Sequence, residues 1–281
     1  MEENNVLYTP IEELQKVYGS RITWRASKKS HYGEFLFRKQ QFDAIMKGFL
    51  SKYVDFNGKS VLDVGCGYGP ASDLLSKVSR DVVAVDVSVN FLNEAHRFCE
   101  NAEISFVGNN AEDLAFKDEC FDIVIAFGVL EHVKNPESAV REFARVVKRG
   151  GYIFVDFNPY YSLPGHHLYD YTILPVQFLP EKFVVRYILN KKPSILKTKS
   201  FANKEDEIKH KLYCLEVYRA LNKLTVSRFY DIERKVKLRV IEERFIIRIP
   251  DIFEVNLSLL KYMGPLKESA FSYQALLRKS L

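Results

Sequence analysis

Between residues 60 and 157 the chain alternates short apolar runs with stretches of helical periodicity. The apolar runs cover residues 60–64, 82–85, 104–107, 122–126 and 152–157. Strands that are separated by single helices are joined by right-handed crossovers, which make neighbouring strands parallel. The pattern predicts an α/β fold with a doubly wound, mostly parallel sheet. Later apolar runs at 238–245 and 271–277 bring the predicted number of strands to seven.

Capping residues indicate where the helices begin and end. Ser88, Asn135 and Thr225 are predicted N-caps, because a short polar side chain there accepts a backbone N–H of the first turn. The glycine pair at 150–151 is predicted to end the helix that Asn135 begins. Nearer the N-terminus, apolar spacing predicts a helix over 34–53.

A glycine-rich turn follows the first predicted strand, with the sequence Asp63-Val-Gly65-Cys66-Gly67-Tyr-Gly69. Such a turn lets the backbone approach a ligand beyond the carboxyl ends of parallel strands. In the usual dinucleotide fingerprint a helix N-terminus receives a pyrophosphate, but here the third glycine comes one position early. Asp63 would repel a pyrophosphate and attract an ammonium group. The turn therefore favours a nucleoside that carries an amino acid over a nicotinamide dinucleotide.

An acidic residue, Asp86, ends the second predicted strand 23 residues after Asp63. A carboxylate in this place accepts hydrogen bonds from both hydroxyls of a ribose. Its alternative role is to cap the next helix. Together with the glycine turn, Asp86 indicates a nucleoside site.

Four segments, VLDVGCGYGP, VVAVDVS, NNAEDLAF and FDIVIAFGVLEHV, resemble the class I methyltransferases of the type 11 group over about residues 58–157. The resemblance implies S-adenosylmethionine as the cofactor and S-adenosylhomocysteine as its product. The implied contacts are Asp63, Gly65, Cys66, Gly67 and Gly69 for the methionine moiety, Asp86 with Val87 for the ribose, Asn110, Ala111 and Glu112 for the adenine, and Phe127 with residues 128–130 for the pocket floor. Asn110 stands where relatives often have Asp, so the adenine amino group would meet the Asn110 amide oxygen, Glu112 or the backbone. Asn110 and Glu112 also fit as ordinary loop residues.

Three histidines are candidate general bases, because a neutral imidazole can take a proton from an acceptor hydroxyl. His132 follows the fourth strand, and His166 and His167 follow the fifth. Each has a structural alternative: Glu131-His132 can cap a helix, and imidazole hydrogen bonds can hold a turn at 166–167. Transfer from a sulfonium needs no metal, and the four cysteines show no metal-ligand spacing, so no metal site is predicted.

The sequence divides into an N-terminal helical segment or lid (1–57), a cofactor-binding core (58–157), a substrate cap inserted after strand five (158–226) and a last helix with two strands (227–281). Trp24 is either part of the lid or a packing residue. The insert, residues 158–226, holds 11 Lys and Arg against 6 Asp and Glu and ten aromatic residues. This composition suits a pocket for a polar or anionic acceptor. Lysines at 191–192 and 197–211 are either solvated or meet lipid headgroups, a nucleotide sugar or RNA.

We expect a methyltransferase that acts on a small-molecule, glycan-linked or lipid-linked acceptor, at oxygen, by metal-free in-line displacement. The loose resemblance of PYYSLPGHH and LNKLTVSRF to type 11 members near surface-glycan genes implies the glycan acceptor. An RNA methyltransferase and a non-catalytic cofactor-binding scaffold stay open, although a net charge of +5 without an RNA-binding module disfavours nucleic acid. The first residues show no signal-peptide pattern, no apolar run is long enough to span a membrane, and the cysteines show no paired spacing. These features predict a cytoplasmic protein. Peripheral membrane contact through the insert is a further hypothesis.

Overall fold

The computed structural model describes residues 28–280, apart from 102, 173, 192–202, 250–252, 257–260 and 263. Trp24 lies outside the described residues, and so do Lys192, Lys197 and Lys199 of the lysines singled out at 191–192 and 197–211. Among the helices that the structure describes, none combines the length and the apolar character that crossing a bilayer would need.

One eight-stranded sheet forms the centre of the described chain. Its strands are β1 (Ser60–Val64), β2 (Asp81–Asp86), β3 (Ser105–Gly108), β4 (Phe121–Phe127), β5 (Val147–Phe157), β6 (Arg239–Ile249), β7 (Phe253–Asn256) and β8 (Ser272–Arg278). They lie in the order β3-β2-β1-β4-β5-β8-β6-β7, parallel from β3 to β5 and antiparallel from β5 onwards. The predicted doubly wound fold is confirmed. It has one strand more than predicted, because β7 folds back along β6 as a hairpin.

Seven helices surround this sheet in the described residues. They are α1 (Lys28–Gly48), α2 (Pro70–Leu75), α3 (Val89–Phe98), α4 (Pro136–Val146), α5 (Glu181–Asn190), α6 (Lys204–Ala220) and α7 (Val226–Val236). Ser88, Asn135 and Thr225 all accept backbone N–H groups at the starts of α3, α4 and α7, as predicted. Helix α1 begins earlier and ends earlier than the predicted 34–53.

The glycine pair at 150–151 does not end α4, contrary to the prediction. The helix ends before it, and β5 runs through both glycines. Gly150 has a φ of 72°, and a Cβ at Gly151 would lie 2.7 Å from the carbonyl oxygen of Asp122 on β4. These glycines allow an irregular, closely packed start to β5, and local sequence alone does not separate that role from a helix end.

Alternate side chains of the central strands enter two apolar cores on opposite faces of the sheet. Leu62 of β1 packs with α4 and α7 on one face, whereas Val61 packs with α1 and α2 on the other. The insert has a third apolar cluster of its own, in which α5 and α6 pack together. The strand order reverses between β1 and β4, and the carboxyl ends of strands at such a switch point are where open α/β sheets bind ligands.

Candidate functional site

The glycine turn after β1 has left-handed backbone at all three glycines. The φ angles of Gly65, Gly67 and Gly69 are 66°, 53° and 78°. A Cβ at Gly65 would lie 2.5 Å from Cγ2 of Val129, whereas a Cβ at Gly67 would meet no atom within 4 Å. Gly65 is therefore required by packing, while the backbone at Gly67 borders open space of the kind a ligand needs.

Asp86 joins this turn to the start of α3. Its Oδ2 accepts the N–H of Gly67 at 3.0 Å, and its Oδ1 accepts the N–H of Ser88 at 2.8 Å. Each carboxylate oxygen can accept a second hydrogen bond. Because the Ser88 hydroxyl caps α3 itself, the helix does not depend on Asp86 as its N-cap. The next residue, Val87, is 73% exposed and offers an apolar surface beside the carboxylate.

Asp63 is buried beneath the turn, and its Oδ2 accepts the hydroxyl of Ser72 in α2 at 2.5 Å. Burial raises the pKa of Asp63 to about 7. A cation bound nearby would favour its charged form. The structure thus shows Asp63 linking β1 to α2, and its contact with a methionine ammonium stays a prediction.

The loop after β3 places residues 110–112 beside the start of α4. Both carboxylate oxygens of Glu112 accept backbone N–H groups, from Lys134 at 3.3 Å and from Asn135 at 2.6 Å. The Asn110 amide oxygen accepts the N–H of Glu112 at 3.0 Å, and Ala111 is buried. Each of these side-chain oxygens already accepts one backbone N–H, so the choice of adenine contact among Asn110, Glu112 and the backbone stays a prediction.

A second group of polar side chains lies after β4. The rings of His132 and His167 are 4.8 Å apart between centroids, at an interplanar angle of 81°. Ligating atoms of Glu131, His132 and His167 all lie within 4.8 Å of one another. The fold therefore brings together a core residue and an insert residue that the sequence suggested separately. Their atom types also suit a transition metal, so the absence of a metal stays a prediction.

Both imidazoles are neutral at neutral pH. Burial lowers the pKa of His132 to about 4, and burial with the neighbouring His132 and Arg38 lowers the pKa of His167 to about 3. His132 nevertheless keeps an exposed side chain. We refer to the surface formed by His132 and His167 as the cleft, and a neutral imidazole that is accessible there can accept a proton.

Two side chains near this cleft were missed by the sequence analysis. The Arg38 guanidinium lies 5.7 Å from the centroid of the Phe127 ring. Asp156 of β5 accepts hydrogen bonds from Ser272 and Gln274, and burial raises its pKa to about 6. A lone carboxylate inside an apolar strand was the available signal for Asp156. Arg38 gave none, because its position depends on how α1 packs.

Glu131 is buried between these groups. Its Oε1 accepts the N–H of Asn158 at 3.2 Å, while Oε2 is buried with no hydrogen-bond partner among the described residues. Burial raises the pKa of Glu131 to about 7.

His166 occupies a different environment from His167. It is fully buried, and its Nδ1 accepts the N–H of Leu168 at 2.9 Å. This is the turn-stabilising alternative, so the structure does not bring His166 to the cleft as a base.

Comparison with known proteins adds independent information. A family model described as a methyltransferase domain matches residues 62–155. Among curated proteins, a ubiquinone biosynthesis O-methyltransferase of Shewanella pealeana is 36% identical over 129 residues, which are 43% of this chain and 51% of that protein. A Coxiella burnetii protein of the same name is 31% identical over 135 residues, 45% of this chain and 57% of the relative. The chain thus spans about half the length of the curated relatives it matches.

Solved structures share the fold at low sequence identity. A methyltransferase bound to the Trm112 activator of Haloferax volcanii has a TM-score of 0.58 at 16% identity, covering 92% of this chain and 99% of that one. An S-adenosylmethionine-dependent methyltransferase of Mesorhizobium loti has a TM-score of 0.54 at 11% identity, covering 84% and 98%. The SpnF cyclase has a TM-score of 0.50 at 15% identity, covering 86% and 81%. Since a cyclase shares the fold, the activity has to be argued from the site.

Proposed function

Because residues 62–155 form a methyltransferase domain of the type 11 group on a class I methyltransferase fold, we propose that the protein methylates a hydroxyl of a small-molecule acceptor. The family and the fold imply S-adenosylmethionine as the cofactor. The observation that carries the proposal is the pair of neutral imidazoles, His132 and His167, at the same edge of the sheet as the open glycine turn.

Different residues of this chain bind the cofactor and take the proton in an in-line displacement. Asp86 binds the ribose, and the turn around Gly67 admits the methionine moiety. When bound, the cofactor supplies a methyl group on a sulfonium, and the acceptor oxygen forms the new bond to carbon as the carbon–sulfur bond breaks. His132 or His167 takes the hydroxyl proton, since both are neutral. Positioning and exclusion of water supply the remaining acceleration, which requires no metal.

The acceptor class follows from the insert. Its ten aromatic residues favour a ring-bearing, glycan-linked or lipid-linked hydroxyl compound over RNA. Three of its basic residues form ion pairs with neighbouring carboxylates, Lys209 with Glu205, Lys211 with Glu207 and Arg219 with Glu181. Cations paired in this way contribute little to binding a phosphate backbone. All four cysteines are unpaired, which supports the expected reducing, cytoplasmic setting.

The first test is titration calorimetry with S-adenosylhomocysteine and, in parallel, NADH. We expect binding of the former alone. Transfer of labelled methyl from S-adenosylmethionine is then measured on phenols, sugars and polyprenyl-linked sugars, with and without EDTA. Turnover that persists in EDTA supports the metal-free mechanism, whereas cofactor binding with no turnover on any acceptor supports the scaffold alternative.

A matched pair of variants tests the base. His167→Ala is expected to lower turnover by about 10²–10⁴-fold with unchanged affinity for S-adenosylhomocysteine. His166→Ala, one residue away and outside the cleft, is expected to lower the melting temperature and spare turnover in the folded fraction. Equal turnover of His167→Ala and wild type would remove His167 from the mechanism.

A further inference from the structure

The insert carries a group of exposed apolar side chains that the proposed chemistry does not use. We call it the apolar patch, and its members are Tyr161, Leu163, Leu174, Phe178, Leu179 and Phe183. Each exposes between 43% and 66% of its surface. Single exposed apolar residues are ordinary, whereas a contiguous group indicates an interaction site.

Contacts within the insert hold the patch together. The Tyr161 and Phe178 rings stack with centroids 5.1 Å apart. Their chain neighbours are joined as well, because the Gln177 side-chain amide donates to the carbonyl oxygen of Ser162 at 3.1 Å. Phe183 lies on the exposed face of α5, while Val184 on the other face is buried in the insert's apolar cluster. The patch is thus a formed surface whose side chains are not needed for the insert's own core.

Positive charge borders the patch along α5. Lys182 lies 5.2 Å from the Phe183 ring centroid, and Lys191 lies 5.2 Å from the Tyr187 ring centroid. An open cavity of about 360 Å³ next to them is lined by Phe183, Arg186, Tyr187, Asn190 and Lys191. Within the part of the chain that the structure describes, none of Lys182, Arg186 and Lys191 forms an ion pair with a carboxylate.

The nearby acidic groups are already engaged. Glu181 pairs with Arg219 at 2.5 Å, and Asp170 pairs with His210 at 3.3 Å. The free charge at this surface is therefore positive. A second copy of the chain docked through the same patch would place these cations against one another. An RNA would satisfy the cations and leave the leucines exposed.

We infer that the apolar patch and the bordering cations of α5 bind the surface of a membrane that contains anionic phospholipids. The apolar and aromatic side chains enter the boundary between headgroups and acyl chains, and Lys182, Arg186 and Lys191 meet lipid phosphates. Only four positions separate Leu163 from His167 in the cleft. Resting on the proposed function, this arrangement assigns the acceptor to the membrane-borne class, with its hydroxyl presented to the cleft from the lipid side.

Vesicle flotation of the full chain tests the inference without requiring turnover. The vesicles are phosphatidylcholine alone and phosphatidylcholine with phosphatidylglycerol. We expect wild-type protein to float with the anionic vesicles, and less so in high salt. The double variants Phe178→Ser/Phe183→Ser and Lys182→Ala/Arg186→Ala are expected to weaken binding by about tenfold or more each. Their affinity for S-adenosylhomocysteine should equal that of wild type.

A control variant, Phe37→Ser/Lys52→Ala, removes one exposed apolar and one exposed basic side chain outside the insert and is expected to float like wild type. The inference is overturned if wild type does not bind anionic vesicles, or if it binds neutral vesicles equally well. Displacement of the vesicles by inorganic phosphate or RNA, at an ionic strength at which sodium chloride does not displace them, overturns it too. It is also overturned if the patch variants convert a dimer to a monomer with no change in vesicle binding. Loss of cofactor binding with vesicle binding retained would instead refute the proposed function alone.

Discussion

Asp86 accepts two backbone N–H groups and keeps capacity for two more hydrogen bonds, so it is the residue whose removal should affect the cofactor most directly. Asp86→Ala is expected to reduce affinity for S-adenosylhomocysteine by about 10²-fold or more, because the ribose hydroxyls and the N–H of Gly67 lose their acceptor together. Calorimetry measures the affinity, and circular dichroism checks the fold. Asp81→Ala, at the exposed start of the same strand, is the control. Wild-type affinity in Asp86→Ala would remove the ribose assignment.

Gly65 and Gly67 share left-handed backbone but differ in the space around them, so the same substitution should have different effects. Gly67→Ala is expected to cost about 1–2 kcal/mol of unfolding free energy from its positive φ alone and to block cofactor binding, since its methyl group enters the open space beside the glycine turn. Gly65→Ala adds a clash with Val129 and is expected to cost about 1–3 kcal/mol more. Urea unfolding and calorimetry on both variants measure these effects. Unimpaired cofactor binding by Gly67→Ala would place the cofactor elsewhere.

At the scale of elements, the end of the insert is tied to the turn after β4. The Asn222 side-chain amide donates to the carbonyl oxygens of Leu130 and Val133, the latter at 2.7 Å, and the Asn222 backbone N–H donates to the Glu131 carbonyl at 3.2 Å. Asn222 therefore positions the segment that holds His132.

Asn222→Ala is expected to lower turnover at least about tenfold while cofactor affinity stays within about twofold of wild type, because the carbonyl oxygens of Leu130 and Val133 lose their side-chain donor and the turn loosens. Methyl-transfer kinetics and calorimetry separate the two effects. Asn190→Ala is a matched control, since among the described residues its amide donates to the carbonyl oxygen of Arg186 alone, within the same helix. Equal loss of turnover in both variants would deny Asn222 a positioning role.

The elements that sequence predicted well are those with local signals. Ser88, Asn135 and Thr225 each cap a helix by accepting a backbone N–H from a residue two or three positions later, so nearby residues are enough to predict these caps. The β6–β7 hairpin pairs strands that are adjacent in the chain, and β7 was missed by the sequence analysis. The strand backbone at 150–151 depends on a distant segment, because Gly150 and Gly151 exchange backbone hydrogen bonds with Lys279, and short-range periodicity does not report such a contact.

The candidate site also contains both residues that local sequence predicted and residues whose position depends on long-range packing. The glycine turn and Asp86 lie on consecutive strands and were predictable from spacing. Long-range packing decides the rest of the site. The contact of His132 with His167 depends on how the insert packs on the sheet, and the position of Arg38 beside Phe127 depends on how α1 packs there. Residue type alone did not distinguish His166 from His167, because only the fold shows which of two adjacent imidazoles is buried in a turn.

At the scale of the whole molecule, buried titratable groups make stability depend on pH in two opposing directions. Glu131 and Asp156 have raised pKa values, so the stability they contribute is present at low pH and is lost as pH rises through the folded-state values. His132 and His167 have lowered pKa values, so their contribution is present above about pH 6.5 and is lost as pH falls. Arg38 lies close to all four groups and favours the charged carboxylates over the charged imidazoles.

The variant Glu131→Gln tests how much the raised pKa of one buried carboxyl contributes to the pH dependence of stability. Burial raises the Glu131 pKa from its ordinary value to about 7, so between pH 5 and pH 8 the folded protein gives up a proton that the unfolded chain has already lost. Removing that group should make the variant more stable relative to wild type at pH 8 than at pH 5, by about 2–3 kcal/mol. A glutamine oxygen can still accept the N–H of Asn158, which limits other effects. Urea unfolding at both pH values measures the difference, with the exposed Glu103→Gln as control. An identical pH dependence in Glu131→Gln and wild type would mean that Glu131 is already charged in the folded protein, held so by Arg38 or by a bound cation.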